Sequence, residues 1–489
     1  MTSIVRALTA EGPARASRVV ATLTRSLGIS PEAARQRLSR ARKPVARIAG
    51  LLPKREAFLY LEKQHNTQIY WDHLLRDLRE TGTVYACAID GLHARGGVVP
   101  VDEFAVVSGA PIDLKKQVPA TTVMNKLVSL GVMSDAELGG IGRCCVAEAG
   151  AIMAPLDAAH IQARRLTESV ILDGLREWAW RNGIGSRHTI AIRGEETPCR
   201  VGQFKWDLTG PCYLLPLRRG RQEHGFVVAD VFTENVLDVH HIRYFVRKVQ
   251  VYQKSTNSNA LFPIIVAEGF TGEAMTEGHK AGLMMATHKS LFGRHTAAAI
   301  TSLMETLGRV AANVQIDGEA LSKLLDQLSE IEGRAGNMRG LMFELLTAFL
   351  ATHEYGGKTD LRVLHTHRRS GRKAEIDVLC AGNGNTVYTI ECKSKIPDGT
   401  VSLPEVEQWI RKLPIISDYV ANRSDLREYD QIHEFWTTGG LEPDALERLR
   451  YEQQQRTKRP IEWKDGKALR AIASQRKLKA VSDALRVHF

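Results

Sequence analysis

Two carboxylates and one lysine lie in neighbouring stretches that have the composition of β-strands. Asp377 and Glu391 each fall in a β-branched, apolar run, and a turn rich in Gly and Asn separates the two runs. Side chains on a strand alternate between faces, so we expect Glu391 and Lys393 on one face and Cys392 on the other. If Asp377 shares the face of Glu391, two carboxylates and an amine converge.

Such a cluster suits a metal site that hydrolyses phosphate esters. Two oxygen ligands are typical of Mg²⁺, which keeps several waters and takes further contacts from substrate phosphate, and Mn²⁺ is expected to substitute. The metal lowers the pKa of a bound water, and the Lys393 ammonium can hold and help deprotonate that water. The alternative is an edge strand with a polar face, but Glu and Lys in an interior strand are costly to bury without a task.

This pattern resembles the PD-(D/E)XK, or restriction-endonuclease-like, nuclease superfamily, from Asn337 to roughly Ala471. The resemblance implies a helix followed by a mixed sheet. It also implies that Asp377 and Glu391 are metal ligands, joined by the backbone carbonyl of Cys392. Lys393 would then be the catalytic lysine.

The same resemblance implies roles for two residues on helices. Glu344, on the helix before the strands, matches an acidic position that serves as a metal ligand in some members. Gln408, on the helix after them, matches a polar residue that contacts the scissile phosphate in several branches. Ile376 stands where the family name has proline. Glu375 is expected to share the face of Asp377 by alternation, as a ligand or as a partner that orients a basic side chain.

The first 68 residues predict a winged helix. A short helix ends at Gly12-Pro13, a second runs from Ala16 to Leu27, and a third is expected from Pro31 to Lys43, with Ser30 as its cap. Basic residues concentrate on the third helix: Arg35, Arg37, Arg40, Arg42 and Lys43. The resemblance to winged-helix proteins implies that this helix enters a DNA major groove. A protein-interaction module with a solvated basic face is the alternative.

The fold class expected is multidomain α/β: N-terminal winged helices, a degenerate nuclease-like α/β unit and a C-terminal restriction-endonuclease-like domain with a central mixed sheet. The expected domains are a winged helix (1–68), a second, less basic winged-helix-like module (80–150), the degenerate unit (155–295), a helical connector (296–334) and the nuclease domain (335–489). The degenerate unit is inferred from repeated element order. In it, Asp207 corresponds to Asp377, Asp230 to Glu391 and Phe232 to Lys393, so we expect that unit to be inactive.

Composition narrows the classes of partner. A formal net charge of +11 points to a polyanion, and the basic residues Arg372 and Lys373 beside the second strand are expected to contact DNA with those of the third helix. The seven cysteines are scattered without a CxxC pair, which argues against structural zinc and disulfides. No apolar run is long enough to span a bilayer, and the N-terminus lacks the features of a secretory signal. A cytoplasmic protein with no membrane association is therefore expected.

The sequence thus predicts a metal-dependent DNA endonuclease in restriction, defence or repair. The alternative is a non-catalytic DNA-binding regulator or chromosome-associated protein that retains a nuclease-like fold, and an RNA nuclease is a third reading. Cutting both DNA strands takes two active sites, which is compatible with a homodimer. No Walker A motif is present, so translocation would require a partner ATPase.

Overall fold

The computed structural model describes residues 2–138, 141–148, 157–195, 197–214, 217, 224–233, 236–255, 258–311, 326, 339–367, 370–396 and 398–489. Within these ranges, no helix has both the length and the apolar character needed to cross a membrane. Two compact units are present. The first comprises Met1–Ala136, Arg143–Leu156 and Gly183–Ala286, and the second Glu137–Gly142, Asp157–Asn182 and Thr287–Phe489.

The elements are numbered in chain order. The helices are α1 Ser3–Glu11, α2 Ala16–Leu27, α3 Pro31–Ser39, α4 Gln68–Glu80, α5 Val84–His93, α6 Phe104–Val107, α7 Ala120–Ser129, α8 Ala158–Arg181, α9 Val239–Gln253, α10 Gly272–Lys280, α11 His288–Phe292, α12 Arg294–Ala311, α13 Arg339–Tyr355, α14 Leu403–Asn422, α15 Pro443–Gln455, α16 Gly466–Gln475 and α17 Lys479–His488. The strands are β1 Ala14–Arg15, β2 Val45–Ala49, β3 Ala57–Leu61, β4 Val98–Pro100, β5 Met133–Leu138, β6 Gly142–Ala147, β7 Ala191–Ile192, β8 Arg200–Val201, β9 Phe204–Lys205, β10 Leu208–Cys212, β11 Gly225–Val231, β12 Val236–Leu237, β13 Leu261–Ala267, β14 Gly269–Phe270, β15 Met284–Thr287, β16 Lys358–Thr366, β17 Lys373–Gly382, β18 Thr386–Lys393, β19 Thr400–Val401, β20 Asp430–Thr437, β21 Gly440–Leu441 and β22 Ile461–Lys464.

The first unit opens with two modules of the same design. In each, a helix, a strand, two helices and two further strands follow one another, and the last strand lies in the middle of a three-stranded sheet (β1-β3-β2 and β4-β6-β5). The α3 cap is as predicted, since Ser30 Oγ accepts from the Ala33 N–H at 3.2 Å. The prediction that α3 runs to Lys43 is wrong. The helix ends at Ser39, and Pro44 disfavours helical geometry at the residue before it.

The rest of the first unit is built on a mixed sheet of order β15-β13-β11-β10-β7. Strands β10 and β11 are antiparallel, and β11 and β13 are parallel. The sequence pattern of Ile242 to Tyr252 predicts a strand, and this prediction is wrong because these residues lie in α9. Asp238 caps this helix, and the buried Ile242, Phe245 and Val249 recur at helical spacing, which outweighs the β-branched composition.

The second unit contains a mixed sheet of order β16-β17-β18-β20-β22. Strands β16, β17 and β18 are antiparallel neighbours, whereas β18, β20 and β22 run parallel. Helix α13 is buried against one face, and α14 packs on the other. The sequence predicts a helix to about His353, a hairpin turn at Gly382–Asn385, a strand over Thr386–Lys395 and an edge strand at Ile461–Trp463, and the observed elements lie within a few residues of these positions.

The two large sheets share one topology. Each has three antiparallel strands followed by a parallel one, and each is accompanied by a small parallel pair, β12 with β14 in the first unit and β19 with β21 in the second. The helix after the small strand (α9 or α14) begins two residues beyond it in both units. The repeated element order inferred from the sequence therefore corresponds to a repeated strand order.

Two predicted segments, the helix α8 and the connector 296–334, do not follow the predicted domain organisation or lie partly outside the described residues. Helix α8 was expected to open the degenerate unit, but its Ala163, Leu166 and Val170 belong to the same core as α13, so it groups with the second unit. The predicted connector (296–334) is described at α12 and at residue 326, and its other residues lie outside the described ranges. The proposed domain boundaries therefore stay predictions.

Candidate functional site

Strands β17 and β18 bring the first three predicted residues together. Val378 pairs with Ile390, and Asp377, just before Val378, and Glu391, just after Ile390, adjoin this pair. The Cys392 N–H donates to Asp377 Oδ2 at 2.7 Å, and Lys393 Nζ donates to Glu391 Oε1 at 2.7 Å. The Cys392 side chain packs against the core on the α13 side, so it points away from Glu391, as strand alternation predicts.

A second lysine, absent from the predicted set, reaches the same carboxylate from α14. Lys412 Nζ lies 3.1 Å from Glu391 Oε1 and 3.3 Å from Oε2. The Glu391 side chain is only 3% exposed, whereas Lys393 and Lys412 are each 26% exposed. Gln408 is exposed and lies four residues before Lys412, on the same face of the helix. That spacing is the signal from which Lys412 could have been found.

Glu344 is engaged in an ion pair. From α13 its Oε2 accepts from Arg362 Nε at 2.6 Å, and its Oε1 accepts from Arg362 Nη2 at 3.1 Å. Arg362 Nη1 also donates to Ser169 Oγ at 3.3 Å. Both carboxylate oxygens are thus bonded to a guanidinium, and the expected role of Glu344 as a metal ligand stays a prediction.

The backbone of β16 is irregular beside Asp377. Arg362 has φ 46°, a left-handed conformation that costs a non-glycine residue about 1–3 kcal/mol. Leu361 and Val363 on either side of it belong to different cores, although residues two apart on a regular strand share a face. Ile376 and Val378, which flank Asp377, are divided in the same way. Alternation is therefore interrupted here, and the face of Glu375 does not follow from it.

The charges of the site perturb one another. Burial raises the pKa of Asp377 well above its usual value, and the nearby Glu391 and Glu344 carboxylates raise it further. Burial also raises the pKa of Glu344, against the effect of Arg362. Burial lowers the pKa of Lys393, but Glu391 and Asp377 raise it more, so its pKa lies above the ordinary value. Lys393 is thus an ammonium at neutral pH.

The raised pKa of Asp377 gives a stability prediction for the metal-free protein. Between the ordinary and the raised pKa, the folded state keeps a proton that the unfolded state has lost, so stability falls as the pH rises through this window. Asp377→Asn removes this cost and keeps an acceptor for the Cys392 N–H. We expect a higher thermal midpoint than wild type at pH 7 in EDTA, and convergence of the two proteins near pH 4.

Asp360 provides the control for this measurement. It also lies on the sheet, but it pairs with Arg423 at 3.1 Å, so Asp360→Asn is expected to lower the thermal midpoint at pH 7. A metal-free Asp377→Asn protein that is less stable than wild type at pH 7 would show that the Asp377 carboxylate is stabilising in the fold.

The donor set fits a hard divalent cation bound chiefly through water and phosphate. Asp377 and Glu391 supply carboxylate oxygens from adjacent strands, and Mg²⁺ commonly uses one or two protein carboxylates. In the part of the chain that the structure describes, no group of three His, Cys, Asp or Glu side chains is arranged to hold a metal ion. This includes Glu344, which therefore does not form a three-carboxylate group with Asp377 and Glu391.

The remaining predicted residues lie elsewhere. The expected DNA-binding residues of the first module are all exposed: Arg35, Arg37, Arg40, Arg42 and Lys43. Arg35 and Arg37 are on α3, and the other three follow it. Arg372 is exposed beside β17, and Lys373 begins that strand, but its side chain lies outside the described part of the structure. His365 Nε2 lies 3.3 Å from Asp418 Oδ2, in a separate polar contact.

The first sheet carries the expected counterparts in the expected register. Asp207 and Asp230 adjoin the Leu208–Ala229 pair, as Asp377 and Glu391 adjoin the Val378–Ile390 pair, and the Asp207 N–H donates to Asp230 Oδ1 at 3.0 Å. The Val231 N–H donates to Asp207 Oδ2 at 3.0 Å, the same contact that Cys392 makes in the second sheet. Phe232 stands in the position of Lys393 and is buried.

Protein cations fill this first cluster. The Asp207 side chain is fully buried and bonds the Arg95 guanidinium, which is also fully buried. Lys248 Nζ lies 2.7 Å from Asp230 Oδ2, and the Tyr244 hydroxyl donates to the same oxygen at 2.9 Å. With no exposed carboxylate and no lysine on β11 at the Phe232 position, this cluster is a structural ion-pair network.

The helices after the small strands extend the correspondence. Tyr244 and Lys248 are the sixth and tenth residues of α9, and Gln408 and Lys412 are the sixth and tenth residues of α14. In both units the tenth residue is a lysine that bonds the acidic residue of the third antiparallel strand. The counterpart of Gln408 also bonds that acidic residue, which supports the assignment of Gln408 to the face of α14 that borders the site.

Comparisons with known proteins add little to this geometry. No protein-family model matches the chain, and no curated protein matches it. A solved structure of restriction endonuclease FokI bound to DNA aligns with a TM-score of 0.16 and 11% identity. The alignment covers 56% of this chain and 56% of that chain, and a score this low carries no argument.

Proposed function

We propose that the second unit is a Mg²⁺-dependent DNA endonuclease of the PD-(D/E)XK type. The observation that carries this proposal is the β17–β18 hairpin, in which Asp377 and Glu391 adjoin the Val378–Ile390 pair and the Lys393 ammonium bonds the Glu391 carboxylate. Asp377 and Glu391 would hold the cation, with the Cys392 carbonyl and Glu344 as further candidates. When bound, the metal would supply an acidified water and stabilise charge on the phosphate.

Lys393 would act as a cation in this mechanism. Because its pKa is raised in the metal-free protein, it donates hydrogen bonds there at neutral pH. The expectation that it helps to deprotonate the attacking water stays a prediction. Its ammonium would orient that water or stabilise the negative charge that develops on the phosphate oxygens. Gln408 would contact the phosphate from the α14 face.

DNA binding is assigned to the N-terminal modules. Their helix, strand, helix, helix, strand, strand order supports two winged helices, of which the first carries the exposed basic residues on and after α3. Arg372 and Lys373 would contact DNA beside the catalytic strands. We further propose that the protein acts in restriction, defence or repair. A homodimer would cut both DNA strands, and a partner ATPase would supply any translocation.

The test of nuclease activity is plasmid cleavage with the full-length protein. We expect nicking or linearisation with Mg²⁺ or Mn²⁺, none with EDTA, and none with Asp377→Asn, because the metal loses a charged ligand. Cleavage that persists in EDTA or in Asp377→Asn would overturn the metal-dependent mechanism. Absence of cleavage under every condition would favour a non-catalytic DNA-binding protein, for which the first sheet, expected to be inactive, would be a precedent within this chain.

The test of DNA recognition is the salt dependence of binding. Replacing Arg35, Arg37 and Arg40 by alanine should weaken DNA binding. The slope of log affinity against log salt concentration should become shallower by up to about 3, because each phosphate contact contributes roughly 0.9 to that slope. The matched control removes three exposed basic residues from the second unit: Arg427, Arg450 and Lys458. An unchanged slope in the first triple variant, measured by fluorescence anisotropy, would exclude phosphate contacts by this helix.

A further inference from the structure

Lys412 occupies the coordinating edge of Glu391. Its ammonium lies within hydrogen-bond distance of both carboxylate oxygens, at 3.1 and 3.3 Å. A divalent cation held by Glu391 would use the same oxygen lone pairs at roughly 2.0–2.6 Å. The ammonium and the metal therefore compete for the same ligand, and they repel each other if both are present.

In the first sheet, the equivalent ammonium is held permanently on its carboxylate. Lys248, at the equivalent helix position, donates to Asp230 Oδ2 at 2.7 Å and to the carbonyls of Val106 and Lys205 at 2.9 and 3.0 Å. These contacts match the three donors of an ammonium, and the side chain is fully buried. Lys248 is thus a permanent counter-ion. Lys412, which is 26% exposed, has a route to solvent.

We propose that Lys412 is a second counter-ion of Glu391, beside Lys393, in the metal-free protein, and that a divalent cation binds Glu391 only when the Lys412 ammonium leaves it. This inference rests on the proposed function, because it takes Asp377 and Glu391 as the metal ligands. Lys412 is then a positioning residue that sets the threshold for metal binding. A phosphate brought to the site by DNA is the anion that would accept the released ammonium.

The experiment is calorimetric titration of metal-free, full-length protein with Mn²⁺, in the absence of DNA. Lys412→Met keeps the aliphatic stem and removes the charge, so we expect Mn²⁺ to bind at least about fivefold more tightly than to wild type. Lys412→Gln should show the same gain if the methionine variant folds poorly. Arg411→Met is the matched control, since Arg411 is the preceding, exposed cation of the same helix, and it should bind Mn²⁺ like wild type.

The outcomes separate the two proposals. Mn²⁺ binding that is lost in Asp377→Asn but is unchanged or weaker in both Lys412 variants would overturn the counter-ion role and leave the metal site intact. Mn²⁺ binding that does not depend on Asp377, or no binding by wild type and the Lys412 variants, would overturn the metal site and the counter-ion role together. If Arg411→Met also binds Mn²⁺ more tightly, the gain would come from the lower net positive charge and not from the loss of Lys412, and the proposal would be contradicted.

Discussion

Replacing Lys393 by alanine is expected to lower the rate of plasmid cleavage by about 10²–10⁴-fold, the range typical for loss of a positioned proton-transfer or charge-stabilising group. The ammonium lies 2.7 Å from Glu391 and carries a proton at neutral pH. Alanine removes the only β18 cation that pairs with this carboxylate among the described residues, and Lys412 approaches it from a different element. The loss should appear in single-turnover rates at saturating Mg²⁺.

Lys358→Ala is the matched control for that measurement. Lys358 is an exposed lysine at the opposite end of the same sheet, where β16 pairs with the end of β17. Its removal changes the net charge equally and should leave cleavage within a few-fold of wild type. Equal nicking by wild type and Lys393→Ala would remove Lys393 from the chemistry, whatever the behaviour of Lys358.

Replacing Lys248 by methionine is expected to destabilise the first unit by about 3–5 kcal/mol, since removal of one partner leaves a buried carboxylate without its cation. Asp230 and Lys248 are both fully buried. Urea denaturation followed by circular dichroism would measure the loss as a lower midpoint.

Two further variants test whether the loss of stability comes from the unpaired Asp230 carboxylate. Asp230→Asn combined with Lys248→Met removes both charges and should recover much of the lost stability. Lys412→Met, the same change at the equivalent position of α14, should cost less than about 1 kcal/mol because the ammonium is partly exposed. A loss below about 1 kcal/mol for Lys248→Met alone would mean that this ion pair does not hold the first sheet together.

Strand composition and hairpin signals were sufficient to predict β17 and β18 as neighbouring strands. The shared face of Glu391 and Lys393 depends on the period of two, and the closeness of Asp377 depends on the short turn between the strands, and both are local properties. In the first sheet, Asp207 and Asp230, which element order alone suggested as counterparts of Asp377 and Glu391, adjoin one strand pair in the same way. What the sequence predicts well is therefore the backbone of the site.

Residues that reach the site from elsewhere were not predictable in the same way. Lys412 and Lys248 come from helices whose sheet-facing side is decided by tertiary packing, and α9 was itself read as a strand because of its β-branched and aromatic residues. The left-handed Arg362 has no signature, because arginine rarely adopts that conformation. The ion pair that the Arg362 side chain forms with Glu344 depends on an α13–β16 contact that spacing does not reveal.

The matched registers of the two sheets have a practical consequence for experiments on this protein. One chain carries a candidate metal-binding cluster and, in equivalent positions, a cluster whose cations are lysine and arginine side chains of the protein itself. Chelation, metal exchange and metal-induced protection from hydrogen exchange should therefore act on β17 and β18 but leave β10 and β11 unchanged. Every such measurement contains its own internal reference, read from the amide protons of the same sample.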